Sequence, residues 1–183
     1  MGSTTIALIS LAVTILLAIT SYLFKYFYEL NVQRHNNNLK LINERLENFY
    51  GPLYILSMVG KTSYETLLKV LKKEDDPDLQ NPLSEQEKLE WIIWVKEVFH
   101  KNNLEIEKII INKAYLIIEE SVPQCLIDFV THISYNKILL KKWDNNNFEQ
   151  IHCLIDFPVD FDEYVYNSYR RLTSEQLKYG IKK

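Results

Sequence analysis

Apolar positions run almost unbroken through the first 24 residues, then give way to a helical period over the remainder of the chain. Ile6 to Phe24 is a 19-residue apolar stretch interrupted only by Ser10, Thr14, Thr20 and Ser21, and no charged side chain precedes Lys25. A helix of that length reaches about 28 Å, close to the roughly 30 Å hydrocarbon thickness of a bilayer. The pattern predicts one N-terminal transmembrane helix. With the segment that leaves the bilayer, it makes residues 1–35 one unit.

Inside this helix the small and polar residues keep to one side. Ser3, Ala7, Ser10, Thr14, Ala18, Ser21 and Lys25 follow one another at steps of 4, 3, 4, 4, 3 and 4. At 100° per residue they fall within an arc of about 80°. Ile6, Leu8, Ile9, Val13, Ile15, Leu16 and Ile19 supply the apolar remainder. A helix alone in lipid gains nothing from such a stripe. Small residues let helices approach closely, and hydroxyls bond across the contact or back to their own carbonyls, so packing of copies without a hole is one reading. The other is a water-filled passage lined by Ser10, Thr14 and Ser21 in a cyclic ring of about four or more copies. A lone anchor with a coincidental stripe is the third.

Residues 36–183 form the second unit, long enough for one domain with its own core. Helical periodicity recurs and alternation with period two does not persist, so the fold class is all-α, a cytoplasmic helical bundle behind the membrane helix. Arg34-His35-Asn36-Asn37-Asn38 reads as a hinge or a solvated stalk. Leu39, Ile42, Leu46 and Phe49 make a stripe that ends at Gly51-Pro52, where a break or kink is expected. A helix over 53–73 turns Leu53, Leu56, Val59, Gly60, Tyr64, Leu67 and Leu71 towards neighbours. The acidic, proline-bearing segment 74–82 predicts a loop. Ser84-Glu85-Gln86-Glu87 is a capping box. The helix it opens carries Leu89, Ile92, Ile93, Val95, Val98 and Phe99 and ends near Asn102-Asn103. Further helices are expected over 104–119, from Pro123 to Lys142 with Ile138 and Leu139 on its apolar face, over 148–155, and from Pro158 onward.

Composition refines this picture. The N-terminal flank holds no Lys or Arg, while Lys25, Arg34, Lys40 and Arg45 follow the apolar run. A secretory signal would need a basic start and a small-residue cleavage site, and neither is present, so an uncleaved anchor is expected. Ile6 stands where a myristoylation motif asks for Ser or Thr. Tyr22, Phe24, Tyr26, Phe27 and Tyr28 suit the headgroup level. The positive-inside rule places the N-terminus outside and the domain in the cytoplasm. Cys125 and Cys153 would then be free thiols in a reducing compartment.

No motif specifies an enzyme: no glycine-rich phosphate loop, no Gly-x-Ser-x-Gly and no His-Glu-x-x-His occurs. No cofactor is expected, and no catalytic residue. Cys125, His132, His152 and Cys153 match no common zinc spacing, so no metal site is assigned. Asp156, Asp160, Asp162 and Glu163 read as favourable charge at a helix start. With a net charge of −3, Arg170-Arg171 and Lys141-Lys142 read as solvated faces, or as a pocket for a small anion, and duplex nucleic-acid binding is not expected. The 12 tyrosines suit positions with a buried ring and a wet hydroxyl.

One transmembrane helix with a polar stripe, a helical domain without catalytic motifs, and the segment Glu44-Arg45-Leu46-Glu47-Asn48-Phe49-Tyr50-Gly51-Pro52-Leu53-Tyr54 together resemble small prokaryotic antiphage membrane effectors. The nearest is the membrane component (HalA) of Hailong systems. The resemblance implies an ion-conducting effector held silent by a partner nucleotidyltransferase or its nucleic-acid product. It makes Ser10, Thr14 and Ser21 pore candidates and places Lys25 at the cytoplasmic mouth. Phe49, Tyr50, Gly51, Pro52, Leu53 and Tyr54 become an elbow coupling the domain to the membrane helix, against the plainer reading of a kinked core helix. Two functions are thus expected in order: an oligomeric, pore-forming defence effector gated through its cytoplasmic domain, or a membrane-tethered adaptor or immunity protein that binds a partner without a pore.

Overall fold

A computed structural model describes residues 2–77, 79–151 and 153–181; the side chains of Thr4, Thr5, Ala7, Ser10, Ala12 and Ile181 are outside the description. The protein is all-α. Its helices are α1 (Gly2–Arg45), α2 (Gly51–Leu71), α3 (Glu85–Trp94), α4 (His100–Asn112), α5 (Gln124–Asp144) and α6 (Asp160–Ile181). Two π turns, Leu46–Tyr50 and Val95–Phe99, join α1 to α2 and α3 to α4, so the chain makes two long composite helices.

The first composite helix begins as the apolar segment. Each side chain described between residues 2 and 29 is exposed, and an 18-residue window of this helix is apolar enough to cross a membrane with none of it buried. A core helix of equal hydropathy would be covered. The asparagine segment 36–38 stays helical, and Ile42 is the first residue of α1 to enter the core.

Of the break or kink expected at Gly51-Pro52, the structure shows a π turn just before it and no end to the helix. The Gly51 amide donates to the Leu46 carbonyl, five residues back, and α2 follows directly with Pro52 in its first turn. A proline within a regular α-helix lacks its amide donor and collides with the carbonyl four residues earlier. Widening the preceding turn lets the chain pass Pro52 while remaining helical.

Asn102-Asn103 likewise does not end a helix. Asn103 is buried, and Asn102 Nδ2 donates to the Leu56 carbonyl at 3.0 Å, which ties α4 to α2. The helix expected over 104–119 stops at Asn112 instead, followed by a short 3₁₀ turn, Ala114–Leu116. Beyond it the Ile118 amide donates to the Tyr50 hydroxyl, a side-chain partner in place of a helical one. Of the short helix expected over 148–155, none is seen among the described residues. Side chains of α3 and α5 take its backbone carbonyls: Trp143 Nε1 donates to Gln150 O at 2.8 Å, and Trp91 Nε1 to Ile151 O at 3.4 Å. Val59, Leu89, Ile93 and Ile138, expected to face inward, are exposed.

Other local signals hold. Ser84 caps α3 reciprocally with Glu87, at 2.6 Å from the Ser84 amide to Glu87 Oε2. In the loop before it, Asp76 accepts from the amides of Gln80 and Asn81, which hold its carboxyl below the usual carboxylate range. Phe49, Tyr50, Leu53, Phe129, Phe161 and Val165 are fully buried in the main core, where Phe129 and Phe161 stack at 4.3 Å. Ile92, Val95, Leu139 and Trp143 form a second cluster between α3 and α5.

Candidate functional site: the membrane helix and its junction

Along the exposed part of α1, Ser3, Thr14, Ala18, Ser21 and Lys25 are all open, while the side chains of Ala7 and Ser10 lie outside the described residues. Two hydroxyls are handled differently. Thr20, off the stripe, donates within the helix, 2.9 Å from the Leu16 carbonyl and 3.0 Å from that of Leu17, which makes it compatible with lipid. Ser21, on the stripe, makes no hydrogen bond among the described residues. A hydroxyl unsatisfied in hydrocarbon costs several kcal/mol on the order of that for any unpaired polar group, so Ser21 favours a wet or polar neighbour. Lys25 lies 3.8 Å from Glu29, an exposed pair one turn below the apolar run.

The stripe and the domain share a side of the helix. Carried down α1 at 100° per residue, His35, Leu39, Ile42 and Leu46 fall within about 80° of the stripe's centre. These residues meet the domain. His35 Nε2 is 3.1 Å from the Tyr179 carbonyl, Asn38 Nδ2 donates to the Tyr179 hydroxyl, and Gln176 Nε2 donates to Asn43 Oδ1 at 2.8 Å. Tyr164 of α6 in turn meets Tyr50, so α6 runs antiparallel to α1 with its C-terminal end nearest the membrane segment.

The elbow lies at the other end of that contact. Phe49, Tyr50 and Leu53 are fully buried, each aliphatic or aromatic side chain worth about 1.5–3 kcal/mol by burial. Tyr54 stacks on Tyr169 of α6 at 4.8 Å with an 11° tilt. Tyr50 is the centre of a chain of hydrogen bonds. The Ile118 amide donates to its hydroxyl at 3.2 Å; Tyr50 donates to Tyr164 at 2.9 Å; Tyr164 donates to Glu119 Oε2 at 2.9 Å. The direction follows from Glu119, which accepts only. Burial pushes both phenols up, so neither ionises near neutrality. Arg45 Nη2 adds a 3.3 Å bond to the Ile117 carbonyl. Tyr164 and Glu119 were not legible as partners of the elbow, because they lie more than 60 residues along the chain with no pattern linking them. Tyr50→Phe is expected to strand the Ile118 amide and lower unfolding stability by about 1–3 kcal/mol. Tyr164→Phe, nearer solvent, is expected to cost less; denaturant melts of the two variants compare them.

Elsewhere the other groups stay dispersed. Cys125 and Cys153 are free, half-buried thiols pushed up by burial. Among the described residues no cluster of His, Cys, Asp or Glu is placed to hold a metal ion; His152 lies outside them. Asp160, Asp162 and Glu163 occupy the first turn of α6, where Asp162 accepts from Ser57. Arg171 pairs with Glu175, Arg170 lies over the Tyr166 ring, and Lys142 donates to Gln150. The shallow cleft beside Arg171 is lined by Glu119, Asp160 and Glu163, a poor setting for an anion. No protein-family model, curated protein or solved structure matches this chain.

Proposed function

We propose that this protein is an oligomeric, pore-forming membrane effector of bacterial antiphage defence, gated through its cytoplasmic helical domain. The observation that supports it best is the uncovered apolar helix whose small and hydroxyl-bearing side continues into the face that docks on the domain. Copies packing through Ser10, Thr14 and Ser21 would surround a weakly polar path, and each domain would hang on the inner side, beneath that path. Such walls admit ions without binding them tightly.

The helix lies across the bacterial inner membrane with its N-terminus outside, since the basic residues gather after the apolar run. Gating follows from stiffness: α1 is rigid from bilayer to core, so a signal that shifts α6 or the elbow moves the membrane segment with it. The signal, by resemblance to Hailong membrane components, is a partner nucleotidyltransferase or its nucleic-acid product. No chemistry is required of the domain.

Replacement of residues 1–28 by an unrelated single-pass helix separates this function from a tethered adaptor. Full-length protein in liposomes is expected to release a trapped small dye, and the swapped chimera to release none while still folding and inserting. Undiminished protection of cells from phage by the chimera would favour the adaptor.

A further inference from the structure

A cavity of about 720 Å³ lies in the cytoplasmic domain, between α2, the α3–α4 composite helix and α5, and is closed by Ile151, Cys153, Ile155, Asp156 and Phe157. The volume falls within the roughly 300–1,000 Å³ of sites that enclose small organic ligands. No part of the membrane segment contributes to it. Its walls are built from the elements that sequence patterning read least well: the π turn Val95–Phe99, the asparagine pair, and the irregular stretch after α5.

Two carboxamides line it, Asn103 from α4 and Asn136 from α5. Asn103 lines the cavity, is 9% exposed, and makes no side-chain hydrogen bond among the described residues. Its amide atoms are not sealed off, so they stay open to the cavity. Asn136, 8% exposed, has one commitment. His132 Nδ1 donates to the Ile155 carbonyl at 2.6 Å, leaving Nε2 to accept from Asn136 Nδ2 at 2.9 Å. Burial holds the His132 imidazole neutral, with its pKa below the ordinary value. The Oδ1 of Asn136 is left without a partner among the described residues. Each amide offers a hydrogen-bond donor and acceptor to a cavity whose walls are part aromatic and aliphatic, part polar.

The remaining walls select shape and charge. Tyr64, Trp91 and Phe99 line it as an aromatic cluster with ring centroids 6.2 to 6.5 Å apart. The indole N–H groups of Trp91 and Trp143 are engaged by the 150–151 backbone. Asp156 and Asp162 line the cavity against one cation, Lys61. A phosphate would therefore meet two carboxylates for one ammonium.

We propose that this cavity binds a small, planar, uncharged heterocycle with adjacent donor and acceptor groups, an unphosphorylated nucleobase or nucleoside. The pairing is that of a carboxamide with a base edge, and the aromatic wall supplies stacking. The proposal does not depend on whether the membrane helices conduct.

Full-length protein carrying Trp94→Phe, in detergent micelles and titrated with uracil, adenine, uridine, adenosine and the two 5′-monophosphates, tests it through the emission of Trp91 and Trp143. Saturable quenching by at least one base or nucleoside is expected, with the matching monophosphate weaker by about tenfold or more. Comparing base with nucleoside shows which of the two the cavity takes. Asn103→Leu is expected to abolish the response while the empty protein still melts cooperatively. Asn103→Asp, which keeps the shape but loses the donor, carries the same expectation for binding should the leucine variant misfold. No saturable response to any of these compounds, equal affinity for the monophosphates, or unchanged affinity in both Asn103 variants would overturn the assignment.

Discussion

Gly51→Ala is expected to destabilise the protein by about 2–3 kcal/mol, against the usual sign for such a change in a helix. Helix propensity alone favours alanine over glycine by about 0.5–1 kcal/mol. At Gly51, however, a Cβ would collide with the Leu46 carbonyl oxygen. That oxygen is also the acceptor of the Gly51 amide, so the π turn draws the two backbones together and leaves no room for a side chain. Relief would require the turn to open, which moves Phe49 and Tyr50 out of the core. Gly180→Ala is the internal control, because a Cβ there meets nothing within 4 Å; it is expected to be neutral or slightly stabilising. Denaturant melts of the two variants in the same detergent decide the matter. Equal stability of Gly51→Ala and the parent chain would mean that the turn is more pliable than its geometry.

Disulfide trapping in membranes is expected to give an all-or-none pattern around α1. In a Cys125→Ser, Cys153→Ser background, cysteine at Thr14 or Ser21 would join copies almost completely under mild oxidation. Cysteine at Leu16 or Leu23 would join few. Those leucines stand roughly opposite the stripe by helical geometry, and both are exposed, so a random collision mechanism would trap all four positions alike. A dimer ladder stopping at two copies would fit a packed pair; larger ladders fit a ring, in which each subunit has two neighbours.

The membrane helix was legible because hydropathy needs no tertiary context: Ile6 to Phe24 carries its own instruction, as does the Ser84–Glu87 capping box. The stripe could be read as a pattern for the same reason. What patterning missed depends on side chains far away in sequence. Asn102-Asn103 looks like a helix end, since asparagine often stops helices, but here Leu56 supplies an acceptor and α5 a neighbour. The segment 148–155 has helical spacing, yet Trp91, His132 and Trp143 claim its carbonyls first. Pro52 signalled a break correctly in local terms; the π turn that absorbs it is visible only in the hydrogen bond from Gly51 to Leu46. Of the elbow, Phe49 and Leu53 were legible as apolar core positions. Tyr50 was not, because its hydroxyl is satisfied by Ile118 and Tyr164 rather than by solvent.

Hydroxyl-lined conduction by several copies of α1 is the central claim, and current across a planar bilayer measures it most directly. Purified full-length protein is expected to produce discrete conductance steps. Ser10→Leu combined with Thr14→Leu is expected to suppress them by about tenfold or more while the oligomer persists in crosslinking, because a hydrophobic constriction empties of water. Steps of unchanged size in the double variant, or a silent bilayer holding correctly inserted parent protein under every tested voltage, would contradict it.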